Sequence, residues 1–176
     1  MRILILTPLF PPDNGDPAAY VKELAARMSG HETQLLIYGH LPESVPGVAI
    51  TAIDKRQWLL KRLLSYTIAL WGATKDVDIV IINNAPSTEL PALIVSLLQR
   101  RTWIICESDT RVVASRSGVY KIIHRLLQGR CRKTIQLPDE SLYKKPEVLP
   151  FIILEPDITT KREVWWEHHL KELTTI

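Results

Sequence analysis

Hydrogen-bonding side chains gather in three short stretches of this 176-residue chain: TPLFPPDNGDPA at 7–18, NNAPSTE at 83–89 and ESDTR at 107–111. Asn83, Asn84, Ser87 and Glu89 suit the hydroxyl groups of a sugar, which neutral amides and hydroxyls match as partners. Residues 84–87 equally suit a turn and cap ahead of a helix. In the first stretch Asp16 is placed to cap a helix, Pro17 fits its first turn and Gly15 fits the turn before it. SDT at 108–110 fits another helix cap. Metal chemistry is not expected. His31, His40 and His124 have no partner at metal-binding spacing, and His168 and His169, adjacent on a helix, face different ways. Nothing supports a histidine-activated nucleophile. Cys106 and Cys131 are too few and too far apart for a zinc site or a disulfide framework, and Cys106, inside an apolar run, reads as a buried reduced thiol.

Each polar stretch follows an apolar run. RILIL at 2–6 is continuous and rich in branched residues, as in a strand buried on both faces. TQLLIY, VAITAI, VDIVIIN, TWIICES and RKTIQL predict five further strands, with VLPFIIL at 148–154 as a candidate last one. Between them, Val21, Leu24, Ala25 and Met28 share one helical face and Gly30 ends that helix. Further helices are predicted at 55–74, across STELPALIVSLLQRR and over GVYKIIHRLLQG. Strand and helix alternate, so the pattern predicts a three-layer α/β sandwich on a parallel sheet. In such sheets ligands bind outside the carboxyl ends of the strands, where the three polar stretches fall.

The totals fit one globular domain: 46% hydrophobic residues, 23% charged and a net charge of +3. No basic stripe interleaved with aromatics signals nucleic acid, and the first turn lacks the spaced glycines of a dinucleotide site. MRILILTPLF has too short an apolar run for a signal peptide, and no stretch is long enough to span a bilayer, so a cytoplasmic protein is expected. The helix at 55–74 sets Lys55, Arg56, Lys61 and Arg62 among Trp58, Tyr66, Trp71 and five leucines. It has two readings: an amphipathic helix on a membrane surface, making the protein a peripheral membrane protein, or a core helix covering the sheet with a solvated charged patch.

The loop–helix TPLFPPDNGDPAAYVKELAARM, the segment VDIVIINNAPSTELPALIVSLLQRR and the following WIICESDTR resemble, in that order and spacing, the N-terminal, acceptor-side domain of family 4 glycosyltransferases of the GT-B type. The resemblance runs to about residue 158 and implies a Rossmann-like domain over 1–158. REVWWEHHLKELTTI resembles the closing helix of those enzymes, implying that residues 159–176 pack back on the domain, with Trp165 and Trp166 toward it. The family's nucleotide-sugar domain has no counterpart here. The resemblance therefore implies an acceptor-binding domain that is inactive alone or is half of a split glycosyltransferase, its donor domain supplied by a separate protein. The alternative is a non-enzymatic sugar-binding or scaffold domain.

The implied partners are a sugar or lipid-linked acceptor and, through residues 55–74, a membrane surface. No cofactor and no nucleic acid are expected. Asp109 stands where the family has an acid that acts as base toward the acceptor hydroxyl, although Ser108 replaces the usual glycine or histidine before it. Asn14, Gly15, Asp16, Asn84 and Ser87 are the implied acceptor-binding residues. Gly15 matches the first of the family's paired glycines, whose amides approach a diphosphate. Asp16 replaces the second and sets a carboxylate where it would repel one.

Overall fold

The computed structural model describes residues 1–13, 16–107, 118–137 and 156–175. Its sheet comprises β1 (Arg2–Thr7), β2 (Glu32–Tyr38), β3 (Val48–Ile53), β4 (Ile79–Asn83), β5 (Thr102–Glu107) and β6 (Lys133–Gln136), in the order β3-β2-β1-β4-β5-β6. Every neighbouring pair is parallel, with Ile5 opposite both Leu35 and Ile81 at the centre. The helices are α1 (Asp16–Arg27), α2 (Leu59–Ala73), α3 (Pro86–Leu98), α4 (Gly118–Gln128) and α5 (Pro156–Thr174). The chain forms two compact units, Met1–Leu137, which holds the whole sheet, and Pro138–Ile176, which holds α5. Within α5 the Trp165 ring stacks on His169 with centroids 4.7 Å apart.

Burial follows strand position. β1, β4 and β5 are buried almost end to end, as strands covered on both faces must be, whereas the edge strands β3 and β6 expose alternate residues. On one face Leu4, Leu6, Val80, Ile82, Trp103 and Ile105 pack with Tyr66 and Leu70 of α2, Ala92 and Val95 of α3 and Leu127 of α4. The alternate residues of the same strands project to the other face, where α1 lies and where Tyr20 donates its hydroxyl to Cys106 Sγ at 3.6 Å. Val21, Leu24, Ala25 and Met28 are buried there, as their spacing predicts.

Two expectations need correcting at α2. The helix starts at Leu59 rather than residue 55, because Asp54 Oδ1 accepts the Arg56 amide at 2.9 Å and holds residues 54–57 in a turn. Its apolar residues are also not all core. Tyr66 and Leu70 are buried, but Trp58, Leu60, Leu64 and Ile68 face outward. The candidate strand at 148–154 lies outside the described residues.

Leu70→Ala is expected to lower unfolding free energy by about 2–5 kcal/mol through the cavity it leaves. Ile68→Ala, two residues away but exposed, should cost under about 1 kcal/mol. Urea titration of both variants checks the pair, and equal losses would contradict the packing of α2.

Candidate functional site

The strand order reverses direction between β1 and β4. From β1 the chain crosses to β2 through α1 on one face, and from β4 it crosses to β5 through α3 on the other. Two neighbouring strands whose chains leave toward opposite faces open a crevice at their carboxyl ends. On the β1 side stand Thr7, whose hydroxyl donates to the Leu9 carbonyl at 2.7 Å, and the buried Phe10. Asp13 pairs with Lys55, tying the proline loop to the segment before α2. On the β4 side stand Asn83 and Asn84, both buried.

Asn83 faces the other way from its strand neighbours. Val80 and Ile82 face the α2–α4 side, so Asn83 turns toward the α1 side. It is 1% exposed, and among the described residues neither its Nδ2 nor its Oδ1 has a hydrogen-bond partner. Leaving such a buried amide unpaired costs about 1–3 kcal/mol, so an orphan at the edge of this crevice calls for a reason.

Of the residues expected to bind an acceptor, Asn84 is brought to this crevice. Its amide donates to the Cys106 carbonyl at 3.2 Å and carries the β4–β5 pairing one residue further. Ser87, half-buried in the first turn of α3, instead accepts the Tyr38 hydroxyl on its carbonyl at 2.9 Å. Asp16 opens α1 as its first residue, at the same sheet edge. The expected cap by residues 84–87 is not made by a side chain: Ala85 holds the cap position, and Thr88 returns its hydroxyl to the Asn83 carbonyl at 3.0 Å. Asn14, Gly15 and Asp109 lie outside the described residues, as does the cap expected at 108–110.

A second polar group lies on the α3–α4 side of the same edge. His124 of α4 sets Nδ1 2.9 Å from Glu89 Oε2 and Nε2 3.1 Å from Glu107 Oε1, with all three side chains buried. Tyr120 donates its hydroxyl to Glu89, and Gln128 Nε2 donates to Glu107 Oε1 at 2.7 Å. Carboxylates only accept, so the network closes when both ring nitrogens carry protons or one carboxyl does. With both nitrogens engaged, His124 has none to offer a ligand. The cluster clamps β5, α3 and α4 together directly ahead of residue 108. Reading His124 as a residue without a partner at metal spacing missed this role. The signals were a charge closing the otherwise apolar TWIICE, and Tyr120, His124 and Gln128 at four-residue intervals on one helix face.

Beside the cluster an open apolar groove of about 480 Å³ runs between the first turns of α2, α3 and α4, walled by Leu63, Ser87, Leu90, Val119, Tyr120 and Ile123, with Arg62 at its side. The Arg62 guanidinium lies 5.5 Å from the centre of the Tyr38 ring and donates Nη1 to the Lys55 carbonyl at 3.1 Å. Burial raises the Tyr38 phenol above its ordinary range, with Arg62 opposing, and raises that of Tyr66 as well. Cys106 is a reduced, buried thiol as expected, and burial, with Glu89 and Cys106 adding to it, pushes the Cys131 thiol up to about 12. Among the described residues no group of three or more ligating side chains is arranged for a metal ion.

No protein-family model matches this chain, and no curated protein matches it. Among solved structures, Anabaena HepE in complex with UDP and glucose is similar, with a TM-score of 0.53 and 15% identity. The match covers 74% of this chain but 36% of that one, so the likeness extends over about a third of the HepE chain. It is a likeness of fold alone: this chain shares a Rossmann-like α/β fold with that part of HepE.

His124→Leu leaves two buried carboxylates facing an apolar side chain and is expected to destabilise by about 3–5 kcal/mol. The double variant with Glu107→Leu should lose less than the sum of the two single losses, as denaturant titration of all three measures. The Cys131 thiol stays neutral in the folded chain well above 9.0, its ordinary value, so its contribution to stability is whole below that pH and disappears as pH rises toward about 12. Folded protein at about pH 9, where an ordinary thiol is half-ionised, should resist iodoacetamide at Cys131 until denaturant is added. Alkylation of Cys131 at a free-thiol rate would contradict its burial.

Proposed function

We propose that this chain is the acceptor-side half of a family 4-type GT-B glycosyltransferase, binding a sugar or lipid-linked acceptor at the β1–β4 crevice while another polypeptide supplies the nucleotide-sugar half. The observation that carries the reading is Asn83: a buried amide with both polar atoms unpaired, at the point where the strand order reverses. An acceptor hydroxyl offers the donor and acceptor that such an amide lacks. The fold likeness to HepE, a protein solved with UDP and glucose, supports the same class of chemistry.

In this reading Asn84 assists Asn83, Asn14, Gly15 and Asp16 contribute to acceptor binding, and Asp109 accepts the proton of the attacking hydroxyl. The carboxylate of Asp16 disfavours a diphosphate at the start of α1, which fits an acceptor-binding role rather than a donor-binding one. The Glu89–His124–Glu107 cluster contributes by fixing where the chain leaves β5, two residues before Asp109. It positions and does not react.

Asn83→Leu separates function from stability. Replacing an unpaired buried amide by an apolar group of similar shape is expected to raise unfolding free energy by about 1 kcal/mol. The same change should weaken binding of sugars or glycolipid head groups, measured by calorimetric titration, by about tenfold or more. A loss of stability with binding unchanged removes the crevice reading. Transfer from a nucleotide-sugar by the isolated chain removes the half-enzyme reading, and sugar binding that no donor-domain protein converts into transfer leaves the non-enzymatic alternative.

A further inference from the structure

A helix covering a sheet ordinarily turns its apolar stripe inward and its charges outward. On α2, α3 and α4 the outward side is apolar as well. Leu60, Leu64 and Ile68 follow one another at four-residue intervals along α2, and Leu64 and Ile68 are 62% and 64% exposed. Leu97 of α3 and Ile122 and Leu126 of α4 are more than half exposed too. The three helices pack side by side, α2 on α3 and α3 on α4, so these residues belong to one broad face. At one end it runs into the groove, where the exposed Leu59 of α2 and Val119 of α4 both line the wall. Contiguous apolar surface on this scale marks a docking site.

Charge identifies what docks. Neither α2 nor α4 contains an acidic residue, and the single one in α3, Glu89, is buried in the cluster with His124. Exposed Lys61, Lys121 and Arg125 stand among the apolar side chains, and Arg100 follows α3. A second copy of this chain presenting the same face would set these cations against each other. An anionic bilayer satisfies both features, because acyl chains take the leucines and isoleucines while phosphates take the lysines and arginines. We infer that the outer face of α2, α3 and α4 together is a docking surface for an anionic lipid bilayer, on which the protein lies without crossing it. Among the described residues no helix is long and apolar enough to span a membrane. This inference stands apart from the sugar-binding reading, since lipid binding is measured without any sugar.

The test is sedimentation of the full chain with vesicles of phosphatidylcholine containing phosphatidylglycerol, against vesicles of phosphatidylcholine alone. Binding is expected to weaken by about tenfold or more on the neutral vesicles, and also in high salt. The double variant Leu64→Glu/Ile68→Glu should lose binding to the anionic vesicles by about tenfold or more, with its urea midpoint unchanged because both sites are exposed. A second variant, Lys61→Glu/Lys121→Glu, keeps the apolar residues and is expected to lose the preference for phosphatidylglycerol. Absence of binding by the parent chain, or unchanged binding in both variants, overturns the inference. So does a dimer seen by light scattering that Leu64→Glu/Ile68→Glu abolishes while vesicle binding stays absent, because that assigns the face to a second copy.

Discussion

In a parallel sheet every strand must be followed by a return crossing over one face, and the right-handed rule dictates which face for each direction of travel. This chain travels outward from the middle twice, from β1 through β2 to β3 and from β4 through β5 to β6. The two journeys run in opposite directions, so α1 must cover one face while α3 and α4 cover the other. The gap between the loops after β1 and β4 is therefore compulsory. What the sequence places there is a matter of chemistry, and it places Asn83 at the last position of a strand whose other four residues are apolar and buried.

The same constraint explains the buried Glu–His–Glu cluster. Two helices returning over one face leave their starting turns beside the carboxyl end of β5, where the chain departs toward α4. Apolar packing holds the bodies of these helices but does not define the angle at their ends. Directional bonds from His124 to one carboxylate on α3 and another on β5 do so. A buried ionic group of this kind adds little net stability over an apolar equivalent, and removing one member is what destabilises. Its contribution is to geometry at the sheet edge, where the crevice and the groove both open.

Strands and helices were legible because the central strands are unbroken apolar runs and the α1 face repeats at helical spacing. Strand order was not, since nothing local in RILIL or VDIVIIN states which neighbour it pairs with. The partners of His124 were hidden for the same reason, one 17 and the other 35 residues away. The α2 region was misread at its start because the Asp54 side chain competes for the backbone there. It was misread on its outer side because a stretch apolar around most of its circumference carries no periodic sign of which leucines face the sheet. Of the candidate site, the three polar stretches at the carboxyl edge were visible in advance. That Tyr38, 49 residues earlier in the chain, would engage the Ser87 carbonyl was not visible, because nothing local in the sequence brings β2 beside the start of α3.

The crevice and the exposed apolar face proposed to dock on lipid bear on each other through the groove. Its walls are the first turns of α2, α3 and α4, which lie at the carboxyl edge of the sheet, the edge at which the β1–β4 crevice opens. Val119 and Leu59 belong both to this groove and to the exposed apolar face, so the groove opens at one end of that face. An acceptor with an acyl or isoprenoid chain and a hydroxylated head would then remain partly in the lipid while its head reached the polar edge. A free sugar gains nothing from such an arrangement. If both proposals hold, the lipid-linked class of acceptor follows from the placement of apolar residues alone, because only a molecule that is itself amphiphilic uses both surfaces at once.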